Sequence, residues 1–274
     1  MNRHDTADLA GTVGLGAFMA FGLLAWVVIG QNGAPLWPDD SLLVWSLGHR
    51  PDVATALARG VTATGSGAVP YALAALAGLV AGHTARQRMG AAALSLACIG
   101  CGQAMRYGVM TLLQRPRPPH ADWAASAGGW AFPSGHTTTA ALTAGLLIVA
   151  LSMRARRGAT PLRVVIGCWG VLVGLSRVYL GVHWFSDVIG GWLFATGWLG
   201  VCLYGMARWL PASFTSGPPS TADDPAEDHA PQDPCRPDGQ ERSVRLSGQP
   251  RLDAQGRLIV TFPGAGPPPT RPHD

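Results

Sequence analysis

The sequence contains no lysine, and its first 210 residues contain no glutamate. All 20 basic residues of the 274-residue chain are arginine, and charged residues make up only 13% of it, against about 25% in an average soluble domain. The arginines stand singly at the ends of apolar runs and form no continuous basic patch. This pattern is typical of membrane topology and argues against nucleic acid as a partner.

Acidic residues are scarce before residue 211 and common after it. The first 210 residues hold seven acids, all aspartate, whereas the last 64 hold the other nine acids and 13 of the 22 prolines. Polar, proline-rich composition is typical of segments that cannot bury a core. We therefore expect a membrane domain over residues 1–210 and a largely disordered cytoplasmic tail over residues 211–274.

Cysteine is also sparse, with five residues that are too scattered for a disulfide framework. Cys98 and Cys101 form a C-x-x-C pattern, but they lie in an apolar run without a second pair. Small residues that pack between membrane helices explain them better than zinc or redox chemistry does.

The first 210 residues are poor in charge and cysteine but contain long apolar runs. A membrane helix needs about 20 mostly apolar residues, and six stretches meet or nearly meet this length: 9–30, 61–82, 90–113, 137–153, 164–182 and 188–209. The sequence predicts an all-α fold, a six-span transmembrane helical bundle. Arginines in the loops 83–89 and 154–163 favour the cytoplasm, which puts both termini there and makes the chain a multi-pass plasma-membrane protein.

Polar clusters lie at the ends of four of these spans. Arg-Pro-Arg-Pro at 115–118 follows the third span, Pro-Ser-Gly-His at 133–136 opens the fourth, Ser-Arg at 176–177 closes the fifth, and His183-x-x-x-Asp187 precedes the sixth. Alone, each could be an interfacial anchor, a helix cap or a hydrogen-bonded pair. The ends of the third and fifth spans and the starts of the fourth and sixth lie on the same side of the membrane, and the arginine loops make this the extracytoplasmic side. The joint occurrence of the clusters there predicts a shared pocket.

These residues resemble the three-part motif of the phosphatidic acid phosphatase type 2 superfamily, which includes lipid phosphate phosphatases and polyprenyl pyrophosphate phosphatases. The second part is complete at 133–136, and the third is complete as Ser176-Arg177, His183 and Asp187. Arg117-Pro118 matches the end of the first part. The resemblance covers roughly residues 60 to 205.

One position departs from the family pattern. Seven residues before Arg117 the family has lysine, whereas this chain has Met110. Arg106 lies one helical turn deeper on the same face and is the candidate substitute.

The resemblance implies catalytic and phosphate-binding roles. His183 would attack phosphorus and form a phosphohistidine, Asp187 would orient its ring, and His136 would protonate the leaving oxygen and then activate water. The predicted phosphate ligands are Arg117, Ser134, Gly135, Arg177 and Arg106, since guanidinium groups and a helix N-terminus both suit phosphate.

Three other interpretations stay open at this point. Zinc could be held by His136, His183 and Asp187, but the adjacent arginines argue against it, and we expect no metal and no cofactor. Ser134 and His183 could form a membrane serine-protease dyad, which would leave the arginines without a role. Met110 could mark a catalytically impaired relative that acts in lipid binding or transport.

The sequence therefore predicts an integral membrane phosphatase, a hydrolase of phosphoric esters or anhydrides. It would act at the outer leaflet on a lipid-linked phosphomonoester or pyrophosphate, undecaprenyl pyrophosphate or a phosphatidic acid-type lipid, through a phosphohistidine and without metal.

Overall fold

A computed structural model of the chain describes residues 3–154, 158–209, 251–252 and 258–259. The described residues before 210 form eight α-helices: α1 Arg3–Gly30, α2 Trp37–Gly48, α3 Asp52–Thr64, α4 Ala68–Ala81, α5 Ala85–Leu113, α6 Gly135–Arg154, α7 Thr160–Tyr179 and α8 Phe185–Trp209. A 3-10 turn at His120–Asp122 lies between α5 and α6. The predicted all-α architecture is confirmed for this part of the chain.

The tail contributes one small described element. The strands β1 Arg251–Leu252 and β2 Leu258–Ile259 pair in antiparallel orientation. The predicted disorder of the rest of residues 211–274 lies outside the described residues.

The predicted count of six spans is not confirmed. Four helices are long and apolar enough to cross a membrane: Ala7–Gly30 within α1, then α6, α7 and α8. The helices α3 and α4 qualify together as a fifth span, bent by 50°. The chain is thus a multi-pass membrane protein with four or five spans by length and composition.

The predicted second span, 61–82, is broken near its start. The break between α3 and α4 contains Gly67, which has a φ of 64°. This left-handed conformation favours glycine and cannot continue a helix. The apolar run therefore begins inside α3 instead of forming one straight helix.

The predicted third span, 90–113, lies within α5, which begins in a reciprocal cap. The Thr84 hydroxyl accepts from the Gln87 amide at 3.2 Å, and the Gln87 side chain accepts from the Thr84 amide at 3.1 Å. Gln103 and Arg106 lower the hydropathy of this helix, which is why it does not qualify by composition. Both side chains are half-buried, so they face neighbouring protein more than lipid.

Small residues let α1 and α8 approach closely. A Cβ added to Gly14 would lie 3.0 Å from the Gly200 Cα, which indicates direct backbone contact between the helices. Nearby, Phe21 of α1 stacks on Phe132 at 5.6 Å and meets Phe194 of α8 edge-on at 5.5 Å. This aromatic cluster anchors the chain immediately before the Pro-Ser-Gly-His motif.

Backbone hydrogen bonds fix the loop between α5 and α6 against the connection between α7 and α8. The Ala124 amide donates to the Leu180 carbonyl at 2.9 Å, and the Ser134 amide donates to the Asp187 carbonyl at 3.1 Å. The ends of α5 and α7 and the starts of α6 and α8 therefore meet at one end of the bundle, as parity predicts.

Candidate active site

One cavity of about 470 Å³ brings the three motifs together. Six of the eight predicted site residues line it: Arg106, Arg117, Gly135, His136, Arg177 and His183. The cavity thus combines two imidazoles and three guanidiniums with the first turn of α6. This is the composition expected of a phosphate site.

His183 is 3% exposed, and its two ring nitrogens have different partners. Nε2 lies 2.8 Å from Arg117 Nη1, while Nδ1 lies 3.3 Å from Asp187 Oδ2. Because a guanidinium can only donate, Nε2 accepts, and the ring proton must reside on Nδ1 and point to the carboxylate. The lone pair of the ring is therefore on Nε2, where it accepts from Arg117, which also lines the cavity.

Burial keeps this ring neutral. It lowers the pKa of His183 well below its usual range, and the positive charges of Arg117 and Arg177 lower this pKa further. A neutral imidazole is the form that can act as a nucleophile.

Asp187 is fully buried behind His183, where it does not line the cavity. Its Oδ2 also accepts from the Trp184 amide at 2.9 Å, and this fixes the carboxylate relative to the ring. The predicted pair of His183 and Asp187 is therefore in contact across one helical turn.

Backbone carbonyls hold Arg117 in place. Its guanidinium donates to the carbonyls of Gly128 at 2.8 Å, Gly129 at 2.9 Å and Val182 at 2.7 Å. Carbonyls orient the group without cancelling its charge, and Arg117 forms no ion pair among the described residues. Its positive charge remains available to an anion in the cavity.

Arg177 is buried with few partners of its own. It is 2% exposed, and Nη1 donates to the Thr62 hydroxyl at 3.1 Å. Nε has no hydrogen-bond partner in the described part of the chain. A buried, incompletely satisfied guanidinium is costly unless a ligand completes it, so Arg177 is suited to bind an anion.

Arg106 reaches the cavity although it lies one turn below the position where the family has lysine. Its Nη1 lies 3.4 Å from Met110 Sδ and 3.5 Å from the Pro133 carbonyl, and Nε donates to Gln103 at 2.8 Å. A Cβ added to Gly135 would lie 3.3 Å from Arg106 Cζ. The guanidinium thus lies over the first turn of α6, so close that a side chain at position 135 would make it shift by a few tenths of an ångström.

Ser134 and His136 are two residues apart in the sequence, but their side chains have different environments. Ser134 is fully buried, and its hydroxyl accepts from the Thr137 hydroxyl at 2.9 Å. It is not among the residues that line the cavity, whereas His136 is. The predicted phosphate contact of Ser134 remains a prediction.

Arg115 and Asp39 are functional candidates that sequence reasoning missed. Both side chains are fully buried and form an ion pair at 2.9 Å, and Arg115 also pairs with Asp187 Oδ1 at 2.7 Å. Ser186 joins them, since its amide and hydroxyl both donate to Asp39. Arg115 thus connects α2 to the carboxylate that orients His183. Because the first 210 residues contain only seven acids, the presence of Asp39 among them was the sequence feature that could have indicated its role.

The described residues contain no group of three or more histidine, cysteine or acidic side chains that could hold a metal ion. His136 and His183 instead share their cavity with three arginines. The expectation of metal-free chemistry stays a prediction.

Comparisons with known proteins agree with the motifs. The family model described as PAP2 superfamily matches residues 90–211, and it covers α5 from residue 90, α6 to α8 and all the predicted site residues. The resemblance identified from the sequence is confirmed for this region.

A curated protein and a solved structure, both from Bacillus subtilis, are similar to the chain. Phosphatidylglycerophosphatase B of strain 168 is 33% identical over 102 residues, which are 36% of this chain and 49% of that protein. The chain therefore spans about half the length of this curated relative. The crystal structure of a transmembrane PAP2-type phosphatidylglycerolphosphate phosphatase has a TM-score of 0.59 and 23% identity, and the match covers 72% of this chain and 94% of the other. At this identity the likeness shows the fold.

Proposed function

We propose that the chain is an integral membrane phosphatase, because the PAP2 superfamily model matches residues 90–211. It removes phosphate from a lipid-linked phosphomonoester or pyrophosphate, without metal, through a phosphohistidine at His183. The observation that carries this proposal is the nucleophilic nitrogen of His183, which faces a cavity with three guanidiniums while the other nitrogen is 3.3 Å from Asp187.

In the first step, Arg117 Nη1 transfers its hydrogen bond from Nε2 to a phosphoryl oxygen, and His183 Nε2 attacks phosphorus as the bond to the leaving oxygen breaks. The ring gains positive charge, which Asp187 stabilises through the Nδ1 proton. His136 donates its proton to the leaving oxygen. Arg117, Arg177 and Arg106 balance the charge on the other phosphoryl oxygens, and the first-turn amides of α6 add to this.

In the second step, water attacks the phosphorus of phosphohistidine. His136 takes the proton of that water, the P–N bond breaks, and His183 returns to its neutral form as inorganic phosphate leaves. Each histidine thereby returns to its starting state after one turnover.

A lipid is the substrate class that the position of the cavity supports. Tyr107 and Thr111 of α5 line it, and the neighbouring Leu112 is 84% exposed on an apolar helix surface. The cavity therefore lies close to a helix surface that can face lipid. Undecaprenyl pyrophosphate and phosphatidic acid-type lipids remain candidates, and the name of the curated relative adds phosphatidylglycerophosphate.

The proposed topology has six spans, with α5 and the bent pair α3–α4 included. The 29 residues of α5 extend about 43 Å at about 1.5 Å per residue, enough for a hydrocarbon core of about 30 Å. The arginine loops then place both termini in the cytoplasm and the active site on the extracytoplasmic face.

Phosphate release from a lipid panel by the purified protein tests the proposal. We expect turnover that a chelator does not abolish, and we expect His183→Ala to fold but to lose activity by about 10³-fold or more. Loss of turnover with chelator would contradict the metal-free mechanism. No turnover of any lipid by the wild type would favour the alternative of a catalytically impaired relative. The protease alternative loses support because the Ser134 hydroxyl accepts from Thr137 and does not line the cavity.

A further inference from the structure

A second cavity, of about 460 Å³, adjoins the active site. Its lining residues are Arg59, Thr62, Ala124, Ala125, Ser126, His136 and Arg177. His136 and Arg177 line both cavities, whereas His183 and Arg117 line only the first. The two cavities therefore adjoin at His136, the residue predicted to protonate the leaving group, and at Arg177.

The second cavity carries positive charge from two arginines. Arg59 of α3 uses Nε to donate to the Ala124 carbonyl at 2.7 Å. Three residues on, and so on the same helix face, Thr62 holds Arg177 at 3.1 Å. Neither arginine forms an ion pair within the described ranges, and the buried Arg177 Nε has no partner there. An anion would complete this site.

The chemistry of the first cavity decides where such an anion comes from. In an in-line displacement the leaving group departs on the side opposite the nucleophile. The leaving oxygen must then lie beside His136, on the side away from His183. His136 also lines the second cavity and His183 does not, so the second cavity can take the group that this oxygen carries.

We propose that the second cavity binds a second phosphoryl anion of the substrate, carried by its leaving group, and that Arg59 determines specificity for it. This inference rests on the proposed function. Two substrate classes carry such an anion: a lipid pyrophosphate, whose leaving group is a phosphate monoester, and a phosphomonoester whose leaving alcohol bears a phosphodiester. Phosphatidic acid lacks it, since its leaving diacylglycerol is neutral.

The turnover experiment compares these classes on the purified full chain. Arg59→Gln should lower kcat/KM for polyprenyl pyrophosphate and for phosphatidylglycerophosphate by about tenfold or more, the loss expected for a charge-assisted contact. Phosphatidic acid should change by less than about twofold. Arg59→Lys keeps a cation and should recover part of the loss. Arg86→Gln makes the same charge change at the exposed start of α5 and is the control. It should leave the ratios of kcat/KM between the three lipids unchanged.

A binding experiment needs no turnover. Inorganic pyrophosphate should protect the wild type against thermal unfolding at lower concentration than orthophosphate does, and Arg59→Gln should weaken protection by pyrophosphate by about tenfold while leaving orthophosphate unchanged. A loss of the same size for all three lipids, or no loss at all, would overturn the proposal for Arg59. So would equal protection by the two anions in the wild type. If the wild type hydrolyses no lipid, the proposed function fails and the pyrophosphate comparison alone decides this inference.

Discussion

The state of a single ring, His183, sets the chemistry at the residue scale. Its cavity-facing nitrogen accepts from Arg117 and its other nitrogen points to Asp187. Burial and two neighbouring arginines lower its pKa well below the usual range. The ring is therefore neutral and already oriented by the carboxylate.

A titration of the ring tests this state directly. The lowered pKa keeps His183 neutral at pH 5.5, at which an ordinary histidine of pKa about 6.5 is mostly protonated. Nitrogen-15 NMR of histidine-labelled protein should show a neutral ring with its proton on Nδ1 from pH 7.5 down to pH 5.5. His183→Gln identifies the signal by its loss. A titration midpoint near pH 6.5 for that signal would contradict the account.

The second residue-scale prediction concerns the missing lysine. If Arg106 supplies the charge that lysine gives in the family that the chain resembles, Arg106→Ala should lower kcat/KM by about 10²-fold. Adding Met110→Lys to that variant should recover at least tenfold, because Met110 lines the same cavity. Phosphate release measures both effects. Failure of the double variant to recover any activity would show that Arg106 does not act as the substitute cation.

At the scale of elements, two buried ion pairs connect α2 to the active site. Asp39 in the first turn of α2 pairs with Arg115, and Arg115 pairs with Asp187. Removing one partner of a buried pair costs about 3–5 kcal/mol, because it leaves the other charge uncompensated. Asp39 is thus a positioning residue that acts through Arg115.

Asp39→Asn should therefore lower both the thermal stability and kcat, by about tenfold for the latter, with KM nearly unchanged. The neighbouring exposed residue provides the control: Asp40→Asn makes the same chemical change outside the network. Thermal unfolding and steady-state kinetics measure the two effects. If both variants behave alike, α2 does not position Asp187.

The contact between α1 and α8 is a second element-scale test. Gly14→Leu places a side chain against the Gly200 backbone, and such overpacking costs about 1–3 kcal/mol. Gly16 on the same helix has no neighbour within 4 Å of an added Cβ. Gly16→Leu should therefore leave the midpoint of thermal unfolding unchanged while Gly14→Leu lowers it. Equal effects of the two changes would rule out this helix contact.

Local patterns made most of the elements and the meeting of the motifs predictable. The lengths of the apolar runs predict where each span ends and on which side of the membrane that end lies. The pocket of Arg117, His136 and His183 could therefore be predicted from the sequence. The break at Gly67 and the roles of Asp39 and Arg115 could not. They depend on a conformation and on partners distant in sequence, such as Asp39 and Ser186, 147 residues apart.

At the scale of the whole molecule, the arginine loops predict which side of the membrane holds the site. Two single-cysteine variants in a cysteine-free background test it, each at an exposed position. Ser126→Cys, beside the second cavity, should react with a membrane-impermeant maleimide in intact cells. Arg86→Cys, in the first turn of α5, should react only after permeabilisation. The reverse pattern would invert the proposed topology.

The covalent intermediate is the most direct test of the central claim. Purified protein is mixed with substrate labelled in its terminal phosphate, quenched in alkali within the first turnover, and mapped by mass spectrometry. The account predicts an acid-labile, alkali-stable phosphate on His183, formed with chelator present and absent in His183→Ala. Turnover without phosphorylated His183, or phosphate on another residue, would contradict it.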